Sequence, residues 1–267
     1  MIRRAWFPAL LTVALGLALA FLTLPIVAVF ANTSPLRLLE SLDDPVAQEA
    51  LWLSAKTTAM AMAIIVVVGT PAAYLLATRT FRGRAAVITL VELPLVLPPA
   101  VAGIALLAAV GPAGILGGTL RAGGIELSLH TAGVVVALTF VASPFYIRQA
   151  QAAFAALDPT WLDASRTLGS SEARTFVRVA IPCAAPGLAA GGALALGRAL
   201  GEFGATLMFA GSFRGITQTV PLAIYDRFSS DFESALALSA VLVVVSAALL
   251  LSVKLVGGGQ ALGRAAR

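Results

Sequence analysis

The sequence has only one cysteine, Cys183, and one histidine, His130, in 267 residues, so it has almost none of the thiol and imidazole groups that form disulfides and bind zinc. A single cysteine excludes an intrachain disulfide framework. Protein zinc sites combine several His and Cys ligands, so we expect no metal site. The chain also lacks the GxxxxGKS/T phosphate loop, so it cannot drive ATP hydrolysis by that mechanism.

Charged residues are also scarce, at 12% of the chain, whereas hydrophobic residues make up 59%. This composition, with a mean hydropathy of +0.95, is too apolar for a soluble globular domain. The net charge of +5 would suggest nucleic-acid binding in a soluble protein. Here the arginines lie in short segments beside hydrophobic runs, where they orient a membrane protein. The composition therefore predicts an all-α, multi-pass membrane protein that contacts lipid and binds no nucleic acid.

The hydrophobic runs predict six transmembrane helices. The first run, at about 9–30, is long enough to cross a hydrocarbon core of about 30 Å, and we favour a retained helix over a cleaved signal peptide. The other predicted spans are helix 2 at about 58–77, helix 3 at 85–110, helix 4 at 131–147, helix 5 at 183–211 and helix 6 at 234–253. We expect an acidic outer loop at 32–54.

The basic residues predict the orientation of these spans. If both termini are cytoplasmic, twelve of the eighteen Lys and Arg residues fall on cytoplasmic segments, five on outer segments and one inside helix 5. This bias agrees with the positive-inside rule. We therefore expect a plasma-membrane protein with both termini in the cytoplasm.

A polar, arginine-bearing segment at 158–182 separates helices 4 and 5. Asp158 is suited to cap a short helix, and Gly169 is suited to end it in the left-handed conformation. A serine cap then predicts a second short helix, which Pro182 is expected to interrupt. The segment is thus predicted to be a helix, a glycine turn and a helix outside the lipid.

This polar segment resembles the EAA motif of the permease subunits of bacterial ABC importers that work with a binding protein. The motif has an acidic residue followed by small residues, a glycine six positions after the acid and a proline nineteen positions after it. The matching residues are Asp163, Ala164, Ser165, Gly169, Val179, Ile181 and Pro182. Asp163 and Ser165 stand where Glu and Ala are commoner. The resemblance extends over roughly helix 2 to helix 6.

Three further stretches resemble the molybdate permease subunits, with the sulfate permease subunits close behind. They are LPLVLPPAVAGI at 93–104, RALGEFGATLMFAG at 198–211 and TQTVPLAIY at 217–225. The resemblance implies import of a tetrahedral oxyanion, for which we favour molybdate over tungstate, sulfate and thiosulfate. It also implies a second copy of the chain, a cytoplasmic ABC ATPase dimer and an external substrate-binding protein. ATP and Mg would be bound by the ATPase, and this chain would hold no cofactor.

The resemblance implies that the first short helix of the polar segment is a coupling helix that docks on the ATPase. The residues expected to serve this coupling are Trp161, Asp163, Ala164, Ser165, Leu168, Gly169 and Pro182. Trp161, Ser165 and Leu168 share one face at helical spacing, which makes the helix amphipathic. Without the resemblance, an amphipathic helix lying on the lipid surface would be an equal alternative.

Helix 3 contains Pro94, Pro98 and Pro99, which make a continuous regular helix unfavourable. Broken backbone at membrane depth is tolerated where protein or a water-filled cavity satisfies its polar groups. We therefore take the three prolines as candidate gate or pathway residues. A packing kink without a pathway role is the alternative.

Helix 5 carries two charges one turn apart, Arg198 and Glu202. Charge inside a membrane is costly enough to suggest function, so both residues are candidates for the gate or the pathway. Gly204 would permit bending beside them. The alternative is an ion pair that only tightens helix packing.

Glycine-rich and polar outer loops are candidates for contact with the binding protein. The candidate residues are Gly111, Gly114, Gly211, Thr217 and Gln218.

Two other classes of protein fit the sequence less well. An ion-coupled secondary transporter leaves the polar segment without a role, and a membrane-embedded enzyme would have little catalytic equipment.

Overall fold

A computed structural model of the protein describes the backbone of residues 6–265 and the side chains of residues 6–252. The basic residues Arg3, Arg4 and Arg267, which contribute to the predicted orientation, lie outside the described residues. All regular secondary structure at 6–265 is helical, which confirms the all-α class. Five helices there are long and apolar enough to cross a membrane, and a sixth span arises if one bent pair of helices counts as a single span.

The spans predicted from the sequence correspond to α1, α3, the pair α4 and α5, α7, the pair α10 and α11, and α13, as bounded here. Helix 5 was predicted as one helix at about 183–211, and that prediction was wrong in that the helix is broken at 201–203. The helices are α1 (Trp6–Ala31), α2 (Pro35–Asp43), α3 (Pro45–Thr78), α4 (Arg84–Val96), α5 (Pro99–Val110), α6 (Gly117–Ala122), α7 (Thr131–Ala155), α8 (Pro159–Thr167), α9 (Glu172–Thr175), α10 (Ile181–Leu200), α11 (Gly204–Ala210), α12 (Val220–Phe228) and α13 (Phe232–Ala265). A π-helical turn at Phe176–Ala180 joins α9 to α10.

The expected outer loop at 32–54 is mostly helical, so that prediction was wrong. Ser34 caps α2, and the carboxylate of Asp44 caps α3 by accepting a hydrogen bond from the Val46 amide at 2.9 Å. Pro45 occupies the first turn of α3, where a missing N–H breaks no helical hydrogen bond. Because these caps start helices inside an acidic segment, helix 2 begins at Pro45 rather than near 58.

The proline-rich part of helix 3 divides that span into two helices. The chain direction changes by 120° between α4 and α5. Leu97 and Pro98, which form the break, both have extended backbone angles. Each precedes a proline, and a following proline disfavours the α conformation. Pro94 lies inside α4 and does not break it.

Pro182 does not interrupt the helix, so that prediction from the sequence was wrong. Helical backbone runs from α9 through the π-helical turn into α10. In that turn the amide of Ile181 donates to the carbonyl of Phe176, five residues back. The ladder is already shifted by one residue just before Pro182, so its missing N–H falls where the α-helical ladder is broken anyway.

α7 lies at the centre of the bundle, packed between α3 and α10. Small residues allow this close packing: a Cβ added at Gly69 in α3 would lie 2.9 Å from the Tyr146 ring. The hydroxyl groups of Thr70 and Tyr146 lie 2.7 Å apart at the same contact. α1, in contrast, has no buried residue. The core is therefore built on α3, α7 and α10.

Charged side chains collect at two opposite ends of the bundle. α3 has 34 residues and a length of about 50 Å, so its two ends lie on opposite sides of a bilayer. The end that includes the start of α3 holds ion pairs of Asp44 with Arg227 and of Glu49 with Arg214, and the end that includes the C-terminus of α3 holds pairs of Arg79 with Glu172 and of Glu92 with Arg148. The two ends contain the segments that the sequence assigned to the outer and cytoplasmic sides, respectively.

Candidate coupling and pathway sites

The polar segment folds into a tight corner between α8 and α9, which we call the corner at α8. Asp158 starts α8 by accepting a hydrogen bond from the Thr160 amide at 2.9 Å, and this bond lowers the pKa of the Asp158 carboxyl. Gly169 follows α8 with a φ of +81°, a conformation that glycine adopts without steric cost. Ser171 then caps α9. The caps are those expected from the sequence.

The side chains of α8 and of Leu168, which follows it, do not form the single face expected from the sequence. Trp161 and Leu168 are 51% and 86% exposed. Ser165 instead turns inward, with its hydroxyl 2.9 Å from that of the buried Thr175, and Leu162 is buried in the core. Trp161, Ser165 and Leu168 therefore do not form one surface, because Ser165 anchors the helix while the other two residues are free to contact a partner.

The other candidate coupling residues occupy different positions in this corner. Asp163 is exposed, and its carboxylate accepts a hydrogen bond of 2.8 Å from Arg166. Ala164 is exposed beside it. Pro182 lies in the first turn of α10 and belongs to the spanning helix rather than to the exposed end of α8. The coupling role of all these residues stays a prediction.

The charges of helix 5 form an ion pair at a break in that helix. The Arg198 guanidinium lies 2.5 Å from the Glu202 carboxylate, and the Arg198 and Glu202 side chains are 26% and 1% exposed. The chain leaves the helical conformation between α10 and α11, and the second carboxylate oxygen of Glu202 accepts a hydrogen bond from the Ala205 amide at 2.6 Å. Glu202 thus connects the end of α10 to the start of α11.

The two broken spans touch at their breaks. A Cβ added at Gly204, in the first turn of α11, would lie 2.8 Å from the Pro99 Cβ at the start of α5. One turn further, a Cβ at Gly103 would lie 2.6 Å from the Met208 Cβ. The structure therefore brings Pro98, Pro99, Gly204 and Glu202 into one region, whereas Pro94 remains within α4.

The start of α5 and Arg198 both lie at this region, and each can interact with an anion. α5 begins at the break, so its first amide groups lack partners within the helix and carry the positive end of the helix dipole. Half-helices that begin at membrane depth bind anionic groups of substrates in this way. The Arg198 guanidinium lies beside the same breaks, where it is paired with the Glu202 carboxylate and its side chain is partly exposed.

A groove of about 780 Å³ between α3, α10 and α13 offers a different environment. It is lined mostly by apolar side chains such as Val66, Leu196 and Leu249, and no charged side chain among those described at 6–252 lines it. A dianion would lose its hydration there without compensation. The apolar lining is therefore unsuited to an oxyanion.

The five candidate residues for binding-protein contact are buried or half-buried. Thr217 is fully buried, and its hydroxyl accepts a hydrogen bond from the Phe213 amide at 2.9 Å. Their contact with a binding protein stays a prediction, and their packing indicates that they shape the outer loops from within. Sequence reasoning missed the exposed apolar residues Ile115, Phe213 and Ile216 in these loops. Apolar residues inside glycine-rich loops were the signal that could have identified them.

Residues 69–259 match the family described as the binding-protein-dependent transport system inner membrane component. The chain belongs to this family. The match begins within α3 and ends within α13, which is the stretch over which the sequence resembles ABC importer permeases. It includes the corner at α8 and both broken spans.

Curated relatives of this permease are similar over most of its length. It is 41% identical to the molybdenum transport system permease protein ModB of Mycobacterium tuberculosis over 235 residues, which cover 88% of this chain and 89% of the relative. It is 36% identical to ModB of Escherichia coli strain K12 over 178 residues, which cover 66% of this chain and 78% of the relative.

Solved structures share the fold of the permease at low sequence identity. A chain of a bacterial alginate ABC transporter, crystallised in complex with an alginate pentasaccharide-bound periplasmic protein, is 17% identical, with a TM-score of 0.74 over 96% of this chain and 94% of that chain. A chain of the MetNI methionine ABC transporter in an inward-facing conformation is 18% identical, with a TM-score of 0.58 over 80% of this chain and 93% of that chain. These similarities confirm the fold of an ABC transporter permease.

Proposed function

We propose that this permease moves molybdate across the plasma membrane into the cytoplasm, driven by ATP hydrolysis in separate ABC ATPase subunits. The observation that carries the proposal is the 41% identity, over 88% of this chain, to a permease named for molybdenum transport. The charged break at Arg198 and Glu202 supports an anionic substrate. Tungstate, sulfate and thiosulfate have related tetrahedral geometry and form the alternative substrate set within the same mechanism.

The working assembly that we propose contains two copies of this chain, two ATPase subunits and an external substrate-binding protein. The corner at α8 faces the cytoplasm and meets the ATPase through Trp161 and Leu168, which are exposed beside the anchored Leu162. The loops that carry Ile115 and Phe213 face outward and meet the binding protein. Exposed apolar residues at the two ends of the bundle support these contacts because such residues are costly to leave in water.

The oxyanion passes the break between α10 and α11 in this proposal. Arg198 attracts the dianion, the start of α5 adds unpaired amide groups, and Glu202 holds Arg198 in place through the ion pair. Glu202 also balances the cation when no substrate is present.

Oxyanion-dependent ATP hydrolysis tests the substrate. The permease is purified with the ATPase and the binding protein, reconstituted into liposomes, and supplied with molybdate, tungstate, sulfate or thiosulfate. We expect molybdate to stimulate ATP hydrolysis at lower concentration than sulfate. No stimulation by any of the four anions would reject the proposed function, and stimulation by sulfate alone would reassign the substrate.

Cysteine labelling tests the orientation. Cys183 is first replaced by Ala, and single cysteines are then introduced as Ile115→Cys and Leu168→Cys at the two ends of the bundle. A membrane-impermeant maleimide added to intact cells is expected to label the residue at 115, while the residue at 168 reacts only after permeabilisation. Labelling of the residue at 168 in intact cells would overturn the assignment of the α8 corner to the cytoplasm.

A further inference from the structure

The corner at α8 is closed by a chain of charged side chains that the coupling role alone does not require. Two nitrogens of Arg166 in α8 donate to the two carboxylate oxygens of Glu172 in α9, at 2.8 and 3.2 Å. A third nitrogen of Arg166 donates to Asp163 at 2.8 Å. Arg79, just after α3, lies 3.7 Å from the same Glu172 carboxylate. One arginine thus connects α8 to α9, and one carboxylate connects both to the end of α3.

The contacts between Arg166 and Glu172 require both side chains to be ionised, and their pKa values favour this at neutral pH. The hydrogen bonds from Arg166 hold the pKa of Glu172 below its usual range, and Arg79 acts in the same direction. The same bonds raise the pKa of Arg166 further. The pair of Arg166 and Glu172 therefore stays ionised wherever the cytoplasm is close to neutral.

Stability is a weak explanation for these contacts, because their side chains are between 36% and 67% exposed. Exposed ion pairs contribute little to folding. A two-bond contact between a guanidinium and a carboxylate does, however, define a relative orientation. The contacts are therefore better suited to setting the angle between two helices than to keeping the chain folded.

The corner would be able to bend if these contacts were absent. α8 and α9 are joined only by the short turn around Gly169, whose backbone is in the permissive left-handed region. Beyond this turn, and apart from the ion pairs, the described residues that hold α8 in place include Ser165, whose hydroxyl bonds that of Thr175, and Leu162, whose side chain is buried. A force applied to Trp161 or Leu168 would otherwise be absorbed by rotation at the turn.

We propose that Arg166 is a positioning residue, whose contacts with Glu172 fix the coupling helix α8 to the base of α10. Arg79 connects the same carboxylate to the end of α3. We call these contacts of Arg166, Glu172 and Arg79 the lock. This proposal rests on the proposed function, in which an ATPase moves α8. The lock makes α8, α9 and the start of α10 one lever. Displacement of α8 is then transmitted along α10 towards the break at Arg198 and Glu202.

The lock is tested first without substrate, by hydrogen exchange of the purified permease. Arg166→Gln and Glu172→Gln are expected to increase the exchange rates of the α8 amides by about fivefold or more, because local opening governs exchange. Arg174→Gln is the matched control, since Arg174 is an exposed arginine of the same corner whose side chain makes no ion pair among the described residues. Equal exchange in Arg166→Gln and in the control would overturn the lock.

The second test measures molybdate transported per ATP hydrolysed in liposomes that contain the ATPase and the binding protein. Arg166→Gln is expected to lower this ratio about tenfold while the ATPase stays bound, and Arg174→Gln is expected to leave it unchanged. If the wild type transports nothing, the proposed function fails, and the exchange experiment still decides the lock. If the wild type transports and Arg166→Gln transports as much per ATP, the lock is wrong.

A covalent substitute separates positioning from direct contact with the ATPase. Ser165→Cys and Thr175→Cys are introduced with Arg166→Gln in a Cys183→Ala background, since the two hydroxyl oxygens lie only 2.9 Å apart. Formation of the disulfide is expected to restore the transport ratio, and reduction is expected to remove it again. A disulfide that forms without restoring the ratio would show that Arg166 acts through some contact other than the lock.

Discussion

Replacing Arg198 by Met and Glu202 by Gln together is expected to abolish oxyanion uptake while the permease remains folded and bound to its ATPase. The double change removes both charges of the ion pair at once, so neither charge is left unpaired in the membrane interior. Gln at position 202 keeps an oxygen that accepts the hydrogen bond from the Ala205 amide. The positive charge that attracts the substrate is lost, and uptake is lost with it.

The single changes are expected to damage the fold as well as transport. Arg198→Met leaves the Glu202 carboxylate, which is 1% exposed, without its cation. Breaking one side of a buried ion pair costs about 3–5 kcal/mol, whereas replacing both partners is often close to neutral. We therefore expect a lower thermal stability in Arg198→Met than in the double variant, although both variants fail to transport.

Uptake of labelled molybdate into liposomes, together with the unfolding temperature of each purified complex, checks this expectation. The double variant separates the two roles that an ion pair inside a membrane can have. A stable double variant that transports at the wild-type rate would show that Arg198 and Glu202 only pack the helices. A stable double variant without uptake assigns the charge to the pathway.

Gly204→Ala is expected to reduce uptake about tenfold or more by forcing the two broken spans apart. A Cβ at this position would lie 2.8 Å from the Pro99 Cβ and 3.2 Å from the Ala100 nitrogen. These neighbours lie near the start of α5 and cannot rotate away as a long side chain could. Overpacking of this kind costs about 1–3 kcal/mol and displaces backbone, here at the breaks that we place on the pathway.

Gly192→Ala is the matched control for this change, since a Cβ at Gly192 would meet nothing within 4 Å. Gly192 and Gly204 lie in the same broken span, and both variants replace a glycine by alanine. We expect Gly192→Ala to transport at the wild-type rate, because alanine is also the better helix former. Uptake and ATP hydrolysis are measured for both variants. Normal uptake by Gly204→Ala would mean that the contact with Pro99 is not needed for transport.

The features that were predicted well from the sequence depend on neighbouring residues. The cap at Asp158, the left-handed turn at Gly169 and the interruption of helix 3 by Pro98 and Pro99 all follow from interactions within a few positions. The apolar composition similarly indicates the membrane class without any knowledge of packing. In each case the physical cause lies inside the local segment.

Two predictions from the sequence were wrong because one local signal was given too much weight. Acidity suggested a loop at 32–54, although Asp44 followed by Pro45 is a good helix start and α3 begins there. Pro182 suggested an interruption, although the π-helical turn before it accommodates the missing hydrogen bond. Whether a proline ends a helix depends on the ladder around it, which sequence spacing does not specify.

The sequence by itself determined that this protein is a helical membrane permease with a capped polar corner and a broken helix 3, because composition, caps and prolines act locally. The break in helix 5 at 201–203 appeared only in the structure. Only the tertiary structure decided that Pro99 meets Gly204, that Arg166 and Arg79 share the carboxylate of Glu172, and that Ser165 faces inward. Most of these contacts join different helices, whose relative positions depend on how the whole bundle packs around α7. Packing therefore supplied the geometry of the lever and of the pathway.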